Sequence, residues 1–307
     1  MKLLTYAHDD ATRLGGMLAD GRVVDLTQAW TTYDHLLNGV QAPNEVFDAI
    51  CLGEPALQAL TSLMEQSEKA GKPVLSAEGL SVLAPIPNPS KNIFCVGRNY
   101  RAHIVEGNLA RGRPADEFPK ALEFFTKAPT TVVGHQAQVS RHAQHTNMLD
   151  YEVELGIVIG KAGRDISPEN ALDHVFGYTI VNDITARDLQ ALHGQWFKGK
   201  SLDGTCPIGP VVTLKAAIAN PNELGLELEL DVNGESRQSA NTSDMLFDVP
   251  SIIAQLSAGM TLEPGDIIAT GTPSGVGFAL TPPRSLEPGD VIKARIESIG
   301  ELVTTIL

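Results

Sequence analysis

The chain has 307 residues, 43% of them hydrophobic and 20% charged, which fits a folded, water-soluble protein and excludes a disordered or fibrous one. A formal net charge of -14 with no Lys/Arg-rich run argues against nucleic acid and anionic membrane surfaces as partners. A small anionic substrate stays open, because the charge inside a cleft matters more than the total.

The N-terminus turns polar at His8-Asp9-Asp10, before a signal-peptide apolar region forms, and no later apolar run reaches membrane-spanning length. The cytoplasm is the expected location. Short β-like runs at 3–7, 13–18 and 22–26, with Asp9-Asp10 and Asp20-Gly21 as turn signals, predict a small antiparallel meander. Pro55 in a first turn, then Leu57, Leu60, Leu63 and Met64 at helical spacing and Gly71 as a stop, predict one amphipathic helix. The alternating prolines Pro85, Pro87 and Pro89 favour extended backbone without donors. They place a domain boundary between a small α/β unit, 1–84, and a larger domain, 85–307.

From Lys91 onward strand-like runs dominate, at 92–96, 151–159, 177–182, 211–214, 226–232, 267–270 and 291–296. Helices are predicted to be short, one starting at Ser167-Pro168 and one over 250–258 ending at Gly259. The larger domain is therefore mostly β, without a βαβ rhythm. Leu-Glu-Pro-Gly-Asp occurs at 262–266 and again at 286–290, read as repeated type II turn chemistry rather than a structural repeat. Cys51, Cys95 and Cys206 contain no C-x-x-C pair and read as reduced core thiols.

In a strand, Glu152 and Glu154 share one face about 6.6 Å apart along the backbone, with Val153 and Leu155 turned to the core. An isolated E-x-E is most often a solvated strand face. Asp183 raises the functional reading, since it ends the apolar run 178–182 where a strand delivers a carboxylate to the rim of a cleft. Three carboxylates from two strands suit a hard cation, Mg²⁺ or Mn²⁺, with Ca²⁺ fitting if more oxygens joined. His135, His142 and His145 form a rival set, but their spacing matches neither a strand face nor a helix face, and they are expected in a loop before the carboxylate strand.

Residues 194–201 satisfy the nucleotide-loop pattern G-x-x-x-x-G-K-[ST], yet the glycines and prolines of 202–210 break the helix such a loop needs. An NTPase is not expected. The glycine-rich stretch 271–277 likewise reads as a turn exposing Thr272.

The ordered blocks Val96-Gly97-Arg98-Asn99-Tyr100-Arg101-Ala102-His103, Tyr151 to Gly156, Asn182 to Gln190, Lys198 to Asp203 and Gly271 to Gly277 together resemble the fumarylacetoacetate hydrolase family and its acylpyruvase, decarboxylase and isomerase relatives. The resemblance implies a mixed β-roll from about residue 90 onward, a β-rich α+β fold overall, and a homodimer. It implies that Glu152, Glu154 and Asp183 bind the metal, and that Arg187, Gln190, Lys200 and Thr272 contact substrate. His103 and Glu106, at i and i+3, would form a water-activating dyad. Some members carry a fourth acidic ligand shortly before the dyad histidine; here that stretch is Cys95-Val96-Gly97-Arg98, so three carboxylates are expected.

The implied activity is metal-dependent C–C hydrolysis of an acylpyruvate-type 2-oxo acid. Arg98 helps to bind polar groups, and Lys200 stabilises developing negative charge. An oxaloacetate decarboxylase and an isomerase of unsaturated oxo acids share the same ligand set, and a catalytically silent metal-binding scaffold is the reading from another class. The polar stretch 106–120, with Gly107, Gly112, Pro114 and Pro119, is expected to act as a mobile lid.

Overall fold

The computed structural model describes residues 1–32 and 41–307. Among these, the long sheet runs, from one edge, through Val74–Leu75, Val23–Asp25, Ala11–Met17, Lys2–His8, Cys206–Leu214, Val175–Asn182, Val153–Ile159, Ile267–Ala269, Ile93–Gly97 and Glu123–Lys127. A second sheet runs through Glu235–Asn241, Glu227–Val232, Val291–Ile296, Gly300–Ile306 and Ala137–Val139. The fold is the expected β-rich α+β architecture.

The two sheets enclose one core. Val153, Leu155, Ile157 and Ile159 from alternate positions of one strand pack with Leu228, Leu230, Ile292, Ala294 and Leu302 of the second sheet. The opposite face of the long sheet forms another core, in which Val158, Val181, Cys206 and Val212 meet Leu3, Leu60 and Leu63. Each fully buried leucine of this kind contributes roughly 1.5–3 kcal/mol. Strand Val153–Ile159 is thus buried on both faces, where the sequence pattern had suggested one dry and one charged face.

Lys2–His8 pairs antiparallel with Ala11–Met17 and also with Cys206–Leu214, so the N-terminal meander extends the central sheet. The helix after it spans Glu54–Ala70 and stops at Gly71 in the left-handed region, φ 64°, as its sequence dictates. Two further helices, Leu26–Thr32 and Val46–Leu52, were not predicted. The first starts where the Asp25 side chain accepts from the Gln28 N–H, a local cap at the end of a strand that periodicity does not reveal.

The repeated pentapeptide makes the same turn twice. Glu263 and Glu287 N–H donate to the Asp266 and Asp290 carboxylates, both at 2.8 Å, around glycines at positive φ. Cys95 and Cys206 are buried, and burial pushes the Cys206 thiol up to about 12. Cys51 is exposed, which corrects its reading as a core thiol: its helix is short and turns that position outward.

Candidate active site

The register of the two central strands assembles the carboxylates. Val153 pairs with Asn182, so Glu152 and Asp183 become cross-strand neighbours one step beyond the ladder, fixed by an Asp183 N–H to Glu152 C=O bond of 2.9 Å. Glu154 follows on the same face by strand alternation. One oxygen from each of Glu152, Glu154 and Asp183 lies within 4.8 Å of the others, and all three residues are buried. Among the described residues no fourth acidic residue and no histidine joins this cluster. His135, His142 and His145 lie before the carboxylate strand, as expected.

Cations surround the cluster unevenly. Lys200 Nζ bridges Glu152 at 2.7 Å and Asp183 at 2.6 Å, and Arg187 Nη2 reaches Glu152 at 2.6 Å. Lys127, fully buried, holds the other Asp183 oxygen at 2.8 Å and donates to the Ile184 carbonyl. Burial alone would raise the Glu152 carboxyl, but Lys200 and Arg187 outweigh it and hold Glu152 far below the usual range. Burial would likewise lower Lys200, but Asp183 and Glu152 raise it.

Glu154 differs. It accepts from the Gly271 N–H at 2.7 Å and has no ion pair among the described residues. Burial, with Asp183 and then Glu152 beside it, pushes its carboxyl well above its usual value. A buried all-oxygen set in which one carboxyl has no cation of its own among the described residues fits a divalent cation, and Glu152, Glu154 and Asp183 are the residues that would hold it.

The second feature is a histidine and a glutamate on helix Arg101–Ala110. His103 Nδ1 lies 3.3 Å from Glu106 Oε2, and Glu106 Oε1 accepts from the Gly275 N–H at 2.8 Å. Gly275 has φ 104°, and a Cβ there would lie on the Arg237 carbonyl oxygen, so only glycine permits this donor to reach Glu106. The glycine-rich stretch therefore anchors the pair from behind. His103, Glu152, Glu154 and Lys200 line one cavity of about 780 Å³, together with Arg98, Arg111, Arg113, Arg187, Gln190, Thr272 and Phe278.

The remaining expected residues occupy that wall with their polar groups differently committed. Arg187 Nε donates to Asp150 at 2.8 Å, and its Nη1 donates to Gln190 at 3.3 Å, so Arg187 braces Glu152 from a fixed position. Arg98 bonds Glu123, Asn108 and the Glu117 carbonyl, which ties the 106–120 stretch to the pocket wall. Thr272 is buried rather than exposed. Its hydroxyl donates to the Val153 carbonyl and accepts from Gln238, because the 271–277 turn folds inward against the carboxylate strand. The nucleotide-like run 194–201 contributes Lys200 to the carboxylates from a short helix, Phe197–Lys200, and forms no phosphate loop.

Sequence reasoning missed Lys127, Asp150, Gly275 and Phe278. Asp150 accepts the N–H groups of Tyr151, Gly277 and Phe278 besides Arg187, joining the two halves of the site. Its place two residues before Glu152 was the one available signal.

Residues 92–307 match the family described as Fumarylacetoacetate (FAA) hydrolase C-terminal. The chain is 48% identical over 306 residues to the oxaloacetate tautomerase YisK of Bacillus subtilis, covering 98% of each. It superposes with a TM-score of 0.81 on a fumarylacetoacetate hydrolase of Exiguobacterium antarcticum, 42% identical, over 100% of this chain and 99% of that one. A maleylpyruvate hydrolase of Sphingobium sp. SYK-6, solved with manganese(II) and pyruvate, is 30% identical with a TM-score of 0.74 over 100% and 99% of the two chains.

Proposed function

The chain belongs to the fumarylacetoacetate hydrolase family, and from that premise we propose that it is a divalent-metal-dependent enzyme that moves a proton between carbon and oxygen of a small 2-oxo acid. The observation that carries this reading is His103, held by Glu106, lining the same cavity as Glu152 and Glu154 of the three-carboxylate cluster. Bound among Glu152, Glu154 and Asp183, Mg²⁺ or Mn²⁺ supplies Lewis acidity toward the carbonyl and carboxylate oxygens of the substrate.

The protein's own groups do the rest. In the tautomer with the proton on Nδ1, His103 donates to Glu106, 3.3 Å away, and Nε2 is the nitrogen that acts as the base. Nε2 takes the proton from the carbon next to the 2-oxo group, the C–H electron pair becomes the C=C bond, the carbonyl π pair moves to the oxygen, and protonated His103 returns the proton to that oxygen, directly or through water, which restores the base. Keto and enol forms interconvert with no bond broken between heavy atoms. Arg187 and Lys200 keep Glu152 ionised throughout, and Gln190 and Thr272 line the space for the substrate. The 48% relative named as an oxaloacetate tautomerase supports this order of preference.

The second reading is C–C hydrolysis of an acylpyruvate, supported by the hydrolase names of two structural relatives. There the same His103 deprotonates water, and hydroxide attacks the distal carbonyl. Metal-loaded protein is to be given oxaloacetate and a panel of acylpyruvates, with enol absorbance, pyruvate and CO₂ followed together. Accelerated loss of enol absorbance without pyruvate or CO₂ supports proton transfer; pyruvate from an acylpyruvate supports hydrolysis. CO₂ with pyruvate from oxaloacetate means decarboxylation and displaces both, and no turnover of any compound rejects the enzymatic reading.

A further inference from the structure

Four arginines, Arg98, Arg111, Arg113 and Arg187, line the same cavity as the carboxylates, and two of them, Arg111 and Arg113, have no acidic partner among the described residues. Arg98 is paired with Glu123 and Arg187 with Asp150 and Glu152. The rim acid Asp188 is taken up by Thr146 and by the Asn147 and Leu189 N–H groups. Arg111, just past the helix that carries His103, makes one hydrogen bond, Nη1 to the Gly107 carbonyl at 3.2 Å, and no ion pair among the described residues. Its guanidinium lies 4.9 Å from the centre of the Phe278 ring, and Arg187 lies 4.6 Å from the centre of the same ring. Arg111 is thus one aromatic ring away from the arginine that braces Glu152.

We propose that Arg111 is the receptor for a second carboxylate on the substrate, so that the site selects 2-oxo dicarboxylic acids over 2-oxo monocarboxylic ones; this rests on the 2-oxo acid reading above. A guanidinium fork with free N–H groups matches a carboxylate, and stacking on Phe278 fixes its plane. A four- or five-carbon diacid separates its carboxyl carbons by roughly 4–6 Å, given carbon–carbon bonds near 1.5 Å. Arg111, Glu152 and Glu154 line one cavity, so a diacid held at one end beside the carboxylate cluster has a guanidinium available within that cavity for its other end. Burial and the neighbouring Arg187, Arg113 and Arg98 depress the Arg111 pKa, and Glu152 opposes them more weakly.

Calorimetry on the Mg²⁺-loaded protein with 2-oxoglutarate and 2-oxopentanoate, which share a five-carbon backbone and differ in the distal carboxylate, tests this. The wild type is expected to bind the diacid roughly 10–100-fold more tightly. Arg111→Gln is expected to abolish that preference while leaving the Kd for 2-oxopentanoate unchanged, and Arg111→Lys to restore part of it. Equal affinities in the wild type, or an Arg111→Gln variant that weakens both ligands alike, overturn the role of Arg111 and leave the 2-oxo acid reading standing. Failure of both ligands to bind the metal-loaded wild type overturns the two together.

Discussion

The floor and the rim of the cavity are built on opposite principles. On the floor, Glu152, Asp183, Lys127, Lys200 and Arg187 interlock, each charge touching at least one opposite charge, around the adjoining ends of two strands, Val153–Ile159 and Val175–Asn182, that are buried on both faces. At the rim, Arg111 and Arg113 line the pocket with no ion pair among the described residues. A buried charge without a partner costs several kcal/mol, so the floor must be closed to exist; a rim charge in water carries little such cost and stays available. The floor is therefore suited to chemistry shared by many substrates, and the rim to choosing among them. Glu154 is the exception on the floor, and it is the residue at which an added cation completes the set.

The sharpest way to break this picture is to remove the cation or its ligand. Chelation is expected to abolish turnover, and Mg²⁺ or Mn²⁺ to restore it; full activity in stripped protein contradicts the proposed reaction. Glu154→Ala removes a ligand without leaving a buried lysine or arginine unpaired. It is expected to weaken metal binding by more than the roughly 10–100-fold that loss of an outer partner costs. Calorimetric metal titration reads this directly, and unchanged affinity removes Glu154 from the ligand set.

His103→Ala tests the other half of the site. It is expected to lower kcat by about 10²–10⁴-fold while metal affinity stays near that of the wild type, since the ring lies on the helix and not among the carboxylates. Parallel losses of metal binding and turnover contradict separate roles for His103 and Glu154.

The same contrast explains what the amino-acid order disclosed. Glu152, Glu154 and Asp183 were legible because strand alternation and a terminal carboxylate are local patterns, and the ladder then had little freedom but to join them. The turns at 262–266 and 286–290 were legible for the same reason. Lys127 ends a strand 56 positions before Asp183, and no periodicity links a buried lysine to a partner across the sheet. Thr272 was expected at the surface because a glycine-rich run is a loop signal, and the inward fold of that loop depends on Val153 and Gln238, far away in sequence. Arg111 sits in a polar stretch like any surface arginine, and only the placement of Phe278 distinguishes it.

Lys127→Met sharpens the claim that the floor is electrostatically closed. It leaves one Asp183 oxygen buried beside an apolar chain, and breaking a buried pair in this way costs about 3–5 kcal/mol. Denaturant unfolding of chelated protein is expected to show that loss, and saturating Mn²⁺ to recover much of it, because a cation at Asp183 replaces the missing ammonium charge. An equal loss with and without metal places Lys127 in a packing role only.

The smallest effect concerns the rim acid. Burial alone would raise the Asp188 carboxyl, but the Thr146 hydroxyl and the Asn147 and Leu189 N–H groups outweigh it and hold Asp188 below its usual value. A carboxylate whose folded pKa is depressed stabilises the protein above its unfolded pKa, about 3.9, and loses that contribution as pH falls through the folded value. Asp188→Asn is therefore expected to cost about 1 kcal/mol at neutral pH and progressively less below about pH 4. Urea unfolding of both proteins at neutral and acid pH measures the difference. If Asp188 were instead the partner of Arg111, the substitution would also alter the preference for diacids, whereas an acid satisfied by Thr146 and backbone donors leaves that preference untouched.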